Sequence, residues 1–381
     1  MKTEPNGLDD LQIALNSHPR LSRPAVYRLA QELERWLGSR EPPERLAGLV
    51  GVPRAQLEKA LALAGRPDEV ASSAAREREE AARLGAGIVL AGEPAYPAAL
   101  RHLSLPPPVL TVRGELPPGI SVAIVGSRKA DPYGREVAEL FARALAAAGM
   151  PVVSGFARGV DAAAHRGALS APEGRTVAVL GCGLGVDYPV GHAALGKEIS
   201  ERGALLSEFP CGAGPRAWHF PVRNRVIAAL SAGTLVVQAA PRSGSLVTAR
   251  HALDLGRHVW AVPGRIFDDR SIGPNALIRD GAALVQHPRE ILEEILGVSV
   301  VAGAAGGTGA LPLFDSIPEP EPEPPPGLAG QVFSALPSGS SRAPEEVAAA
   351  VGLPVDQVLG ALLELELEGL VKRIAGGVYG R

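Results

Sequence analysis

The chain has 381 residues, a formal net charge of −3 at neutral pH, 46% apolar residues and only 4% aromatic ones. That length suits two or three domains with sizeable cores, and the near-neutral balance excludes a uniformly basic coat, so any polyanion site has to be local. The two cysteines, Cys182 and Cys211, make no metal set; no signal peptide and no membrane-length apolar run is present, so the chain reads as cytoplasmic with no membrane partner.

Residues 8–80 carry short amphipathic stretches such as "AVYRLAQELERWL" and "PRAQLEKALALAG", broken by Gly and Pro, and predict a small helical module over 1–84. Helix-hairpin-helix units that touch DNA backbones share this pattern, and so do small helical adaptors.

From residue 112 to about 298 the pattern changes to strand-length apolar runs alternating with helices: "SVAIVGS", "PVVSG", "TVAVLGCG", "ALLSEF", "TLVVQAA", "HVWAVPG" and "ALVQH". Continuous apolar runs separated by helices predict a parallel sheet covered on both faces, an α/β fold of Rossmann type. Ligands of such sheets bind beyond the carboxyl ends of the strands, so the residues immediately after each run are the candidates for binding. The first run ends in Gly126, Ser127 and Arg128, and Asp131-Pro132 reads as a helix N-cap followed by proline at the first helical position. Glycine and serine let the chain turn so that N–H groups and a hydroxyl face an oxyanion, and a planar guanidinium suits phosphate bidentately. Alone, the stretch reads equally well as a tight strand-to-helix turn with a solvated arginine.

The second run ends in Ser154 and Gly155, with Arg158 just before a helix, and the fifth is followed by Ser243, Gly244 and Ser245 opening a helix whose first turn holds Thr248. Helix N-termini of this kind attract anions through N–H groups and the macrodipole; each turn taken singly also serves as an ordinary cap, but three in one sheet can converge on one site. Before the fifth run lies "WHFPVRNRVIAALSAG", with Arg223 and Arg225 around Asn224. Between Arg216 and Arg270 there are eight arginines against three aspartates, and Trp218, His219 and Phe220 stand beside them. Aromatic rings next to guanidinium groups are what single-stranded nucleic acid uses for stacking and phosphate neutralisation; a solvated basic face with core aromatics gives the same spacing.

Enzyme signatures are weak. "GCGLG" at 181–185 matches the dinucleotide fingerprint only in part, and "GHAALGKE" places Glu198 where a P-loop needs Ser or Thr for magnesium. Asp161 and His165 stand four residues apart on a predicted helix, a spacing that suits a surface pair better than an acid and base. Cys182, directly after a strand, reads as a small buried residue. No metal cluster and no nucleophile, base and orienter set emerges, so no catalytic residue, metal or cofactor is assigned.

Residues 299–327 are Gly/Ala-rich and then Pro/Glu-rich, a linker composition. Beyond them, "GLAGQVFSALP", "APEEVAAAVG" and "PVDQVLGALLELELEGL" predict three helices, and "LVKRIAGGVYGR" a hairpin around Gly376-Gly377, together a winged helix over 328–381.

The stretches "VAIVGSRKADPYG", "SGFARGVDAAAHRGAL", "TVAVLGCGLGVDYP", "LLSEFPCG", "FPVRNRVIAALS", "VVQAAPRSGSLVTARHAL", "VWAVPG" and "GPNALIRDGA" occur in the order found in the DNA-processing protein A family, also called DprA or Smf, and the resemblance covers roughly 85–298. It implies an extended Rossmann domain that binds single-stranded DNA, forms a homodimer and helps load the RecA recombinase during natural transformation, without hydrolysis. Carried over by position, Arg128 would grip a phosphate, Gly126 and Ser127 would shape its turn, and Phe220, Arg223, Asn224 and Arg225 would line the same pocket. Ser243, Gly244 and Ser245 would supply helix-terminal N–H groups. Two departures stand out. Gln238 replaces the family's usual strand-end Glu, which weakens the alternative of a nucleotide-cleaving enzyme of phosphoribohydrolase type. The third helix of the winged module carries Glu364, Glu366 and Glu368, and the module holds six acids against four bases, which favours contact with protein over a DNA groove.

Overall fold

The computed structural model describes residues 5–297, 324–336, 341–367, 370–373 and 378–380. The expected linker at 299–327, except its last four residues, lies outside them, as do Gly376-Gly377 and Glu368. The chain falls into two compact units, one ending at Leu311 and the other beginning at Pro312.

The first unit opens with six helices, α1 (Pro5–Ser17), α2 (Arg23–Gln31), α3 (Leu33–Gly38), α4 (Pro43–Val50), α5 (Arg54–Ala64) and α6 (Pro67–Arg83). Proline at the first turn of α2, α4 and α6 sets their starts. Their apolar faces close over Leu15, Val26, Leu29, Trp36 and Leu57, all buried.

A nine-stranded sheet follows: β1 (Ala86–Leu90), β2 (Val109–Gly114), β3 (Val122–Val125), β4 (Val152–Ser154), β5 (Thr176–Val179), β6 (Ala204–Ser207), β7 (Gly233–Val236), β8 (His258–Ala261) and β9 (Ala283–Leu284). Its spatial order is β1-β2-β6-β5-β4-β3-β7-β8-β9. All seven apolar runs read from the sequence are strands, and they pair in parallel. β1 and β2 extend the sheet antiparallel beyond β6. Helices α7 (Pro132–Ala147), α8 (Val160–Ser170) and α9 (Ala193–Arg202) follow the first strands, and α10 (His219–Leu230), α11 (Gly244–Asp254), α12 (Ile272–Arg279) and α13 (Pro288–Leu296) the later ones.

The period of two along each strand divides the core. Val177 and Val179 pack with Val226, Ile227 and Ala249 of α10 and α11, while their neighbours Ala178 and Leu180 pack with Ala162, Leu195 and Ile199 of α8 and α9. Helices on both faces explain why these strands read as unbroken apolar runs. Chain order runs outward from β3 through β4 and β5, then returns to β7 on the other side of β3. The reversal leaves a crevice outside the carboxyl ends of β3 and β7, the place where open α/β sheets bind ligands.

The helical module and the sheet are joined by a buried polar latch. Tyr27 Oη and Arg225 Nη2 both donate to Glu208 Oε2 at 2.5 Å, Arg225 Nη1 donates to the Leu105 carbonyl at 2.9 Å, and its guanidinium lies 4.8 Å from the centre of the Tyr27 ring.

In the second unit, α14 (Leu328–Ser334), α15 (Pro344–Val351) and α16 (Val355–Leu367) surround Phe333, Val347, Leu362 and Leu365. α15 and α16 meet at 109°, an angle typical of a helix-turn-helix. β10 (Ser341–Arg342), β11 (Lys372–Arg373) and β12 (Tyr379–Gly380) form a small sheet in the order β10-β12-β11.

Candidate nucleic-acid interface

At the chain reversal lies a cavity of about 970 Å³. One wall is the turn Gly126-Ser127-Arg128 after β3, the facing wall is α10, and the far end is the start of α11. Among its lining residues five are basic (Arg128, Lys129, Arg216, Arg223, Arg242) and one, Asp161, is acidic. A smaller cavity of about 340 Å³ adjoins it, bounded by Gly155, Phe156, Arg158, Leu180 and Val190 and sharing Arg128, Tyr188 and Phe220 with the larger one.

Arg128 stands where the two cavities meet. Its side chain is exposed, pairs with no carboxylate among the described residues, and its guanidinium sits 4.7 Å from the centre of the Phe220 ring. The ring holds the cation in place without using its hydrogen-bond donors, which stay available for an oxyanion. Tyr188 also packs against Phe220, with ring centres 5.5 Å apart. The turn below is shaped by local bonds: Ser127 Oγ accepts from Lys129 N–H at 3.1 Å, and Asp131 caps α7 by accepting from Gly134 N–H at 2.8 Å. Gly159 supports the turn from beneath; with φ at 80°, a Cβ there would stand 2.2 Å from the Ser127 carbonyl oxygen, so only glycine allows the approach.

The start of α11 forms the anion-attracting end. Ser243 caps it, its Oγ accepting from Ser245 N–H at 3.4 Å, and Gly244 is exposed. Asn224 Nδ2 donates to the Gly244 carbonyl at 2.9 Å and fixes this end against α10. The positive pole of the macrodipole therefore opens onto the same space as Arg128, Lys129, Arg216 and Arg242, each exposed.

The remaining residues expected here divide by burial. Arg223 lines the cavity but is only 3% exposed, and its Nη1 donates to the carbonyls of Gly155 (2.8 Å) and Val179. Burial draws its guanidinium down to about 10. Two strand ends are thus held together by the cation, which contributes positive potential rather than a free grip. Thr248, the fifth residue of α11 and so in its second turn, is buried in the wall. Ser154 is fully buried and its Oγ donates to the Ile124 carbonyl at 2.6 Å, so it ties β4 to β3 instead of facing the cavity. Arg225 departs most from expectation: one residue beyond Asn224 it points to the opposite side of α10, into the latch with Glu208 and Tyr27, and does not line either cavity. A helix turns 100° per residue, so Arg223 and Arg225 cannot share a face.

Two other readings are corrected. Asp161 and His165 are not a helix-surface pair; both are buried with separate partners, Ala157 N–H for Asp161 Oδ2 and Thr176 Oγ1 for His165 Nδ1. Burial raises the Asp161 carboxyl above its usual range, against the pull of the nearby Arg223 charge. His219 belongs to the core, stacked 4.0 Å from Phe209. Cys182 is buried as expected, and burial pushes its thiol up to about 11. Gln238, at the end of β7, donates from Nε2 to Asp131 Oδ1 at 2.9 Å and is itself 3% exposed; it braces the cap of α7 and faces neither cavity. Tyr188, Lys129, Arg216 and Arg242 also line the site; they fall within the quoted stretches or the arginine-rich segment, but the sequence reading assigns none of them a contact. Tyr188 lies in the long loop after β5, nine residues past the strand end at Val179, beyond the reach of a rule confined to the residues immediately after each run.

The family model for DNA recombination-mediator protein A matches residues 87–296, the span that builds this site, and the model for the DprA winged-helix domain matches 316–377. The chain belongs to the DNA-processing protein A family. Protein Smf of Escherichia coli is 42% identical over 287 residues, 74% of each chain, and DNA processing protein DprA of Bacillus subtilis is 39% identical over 203 residues, 52% of this chain and 68% of that protein. Among solved structures, DNA processing protein A from Streptococcus pneumoniae superposes with a TM-score of 0.63 at 30% identity, covering 77% of this chain and 99% of that one. DNA processing protein A from Helicobacter pylori, a structure described for its single-stranded DNA binding mode, has a TM-score of 0.50 at 30% identity and covers 56% and 96%. As in the DprA family, the chain joins an α/β unit with a parallel-sheet core to a winged helix.

Proposed function

We propose that the cavity at the chain reversal binds single-stranded DNA, and that the chain works as a non-enzymatic recombination mediator: a homodimer that holds incoming strands and helps load the RecA recombinase in natural transformation. One observation carries the DNA reading. The unpaired guanidinium of Arg128 is held over Phe220, in a space that also receives the positive end of α11 and three more exposed cations. Phosphates would meet Arg128 and the α11 terminus, while Phe220 and Tyr188 offer rings to bases entering the smaller, largely apolar cavity. The single acid lining the larger cavity, Asp161, is buried and bound, and Gln238 faces away, so the residues that a nucleotide-cleaving reading would employ are committed to structure.

Anisotropy of labelled single-stranded and duplex oligonucleotides across a salt series tests this. Single strands should bind with a log-log salt slope of about −0.7 for each phosphate neutralised, and Arg128→Ala should weaken binding and flatten that slope by about one such step. Binding that ignores salt, or that survives Arg128→Ala unchanged, would remove the clamp.

A further inference from the structure

The third helix of the C-terminal unit is apolar on two faces. One face, Val358, Ala361, Leu362 and Leu365, is buried in the unit's own core. The other, Val355, Leu359, Leu363 and Leu367, recurs every fourth residue and is 37, 43, 55 and 82% exposed. Residues four apart stack on one side of a helix, so these form a continuous stripe. A helix that is apolar on both sides is normally covered on both, and contiguous exposed apolar surface marks a binding site. α16 contains no Lys or Arg, and Asp356, Glu364 and Glu366 edge the stripe, making no ion pair among the described residues. In a DNA-reading winged helix this element would enter the groove with basic or polar side chains; here leucines and carboxylates would meet phosphate.

We infer that α16 is a docking face for a protein partner, whose matching surface is an amphipathic helix with apolar residues along its contact side and Lys or Arg at the edges. The apolar stripe supplies affinity, and the three acids select positively charged flanks and set the approach. This assignment is independent of the single-strand cavity, which lies in the other unit.

The probes are two synthetic helical peptides with leucine along one side, one flanked by lysine and the other by glutamate, titrated against the full chain by fluorescence anisotropy. The lysine peptide should bind and the glutamate peptide should not. Leu359→Ser and Leu363→Ser should each weaken the lysine peptide roughly tenfold, from the apolar area no longer buried. Glu364→Lys with Glu366→Lys should reverse the preference between peptides. Both leucines are solvent-facing, so circular-dichroism melts of the variants should match the parent. Equal binding of both peptides, or indifference to the serine substitutions, would overturn the assignment. So would sedimentation showing that these substitutions dissociate a self-associated chain, which would give the face to a second copy, or a loss of duplex DNA binding in the same variants, which would give it to nucleic acid.

Discussion

Arg225 separates a structural reading of the arginine-rich segment from a purely electrostatic one. In sequence it looks like Arg223 and Arg128, another cation near the groove; in the structure its side chain is 14% exposed and paired to Glu208, itself 1% exposed, across the joint between helical module and sheet. Arg225→Met removes the cation and leaves the Glu208 carboxylate and its partner Tyr27 buried without it. Breaking a buried pair from one side costs about 3–5 kcal/mol, because an uncompensated charge remains. Adding Glu208→Gln removes that charge while keeping an acceptor for Tyr27 Oη, so the double variant should recover most of the loss. Urea unfolding reports the outcome through two buried tryptophans, Trp36 in the helical module and Trp260 in the sheet. Single-strand affinity measured on the folded variant should change little. The reasoning fails if Arg225→Met keeps its unfolding midpoint and loses DNA binding as Arg128→Ala does, since Arg225 would then be a phosphate contact.

Gly159→Ala places a Cβ 2.2 Å from the Ser127 carbonyl, which forces the Gly-Ser-Arg turn outward; stability should fall by about 1–3 kcal/mol, and the salt-series anisotropy assay should show weakened single-strand binding although no cation is lost. His165 gives a pH signature: burial holds its imidazole down to about 3 against an ordinary 6.5. Between those values the unfolded chain binds a proton that the folded chain refuses. Its contribution is therefore full above pH 6.5 and lost as pH falls toward 3, at about 1.4 kcal/mol per pH unit. Urea midpoints against pH should show this slope, and His165→Gln should flatten it; an unchanged slope would mean that the imidazole is not kept neutral by burial.

The parts of the fold that were legible are those where local chemistry and tertiary environment agree. Six of the parallel strands, β3 to β8, are buried on both sides at nearly every residue, so each announces itself as an apolar run; β9, at the sheet margin, is exposed at both residues and is marked only by the apolar stretch around it, and the cap at Asp131-Pro132 is local. β1 and β2 escaped because they pair antiparallel at the margin of the sheet, where burial is partial and "AGIVL" and "VLTVRG" have no helix-bounded rhythm around them. β10 consists of Ser341 and Arg342 alone, a pairing that only the tertiary structure creates. The apolar stripe on α16 was hidden by its own composition: with leucines on every side, helical periodicity cannot tell the buried set from the exposed one until packing chooses between them.

At the candidate site, sequence reasoning could not distinguish a cation left free from a cation that builds the scaffold. Arg128, Arg223 and Arg225 are chemically the same residue, and their roles follow from what surrounds each guanidinium. Arg223 spends its donors on two strand-end carbonyls, Arg225 spends its own on a carboxylate and a carbonyl, and Arg128 is given only the face of an aromatic ring. That difference has a mechanical logic. A clamp for a mobile, flexible strand gains from preorganisation, since each rotamer already fixed lowers the entropic cost of binding, but a fixed donor is useful only while it has no partner. Phe220 meets both demands on Arg128, restricting it by contact and dispersion while leaving its N–H groups open. Arg223 and Asn224, on the same helix, anchor α10 to β4, β5 and α11 and so keep Phe220 in place. Losing either anchor should therefore resemble a diffuse loss of groove geometry, whereas on the proposed reading losing Arg128 should subtract one phosphate contact and leave the scaffold intact.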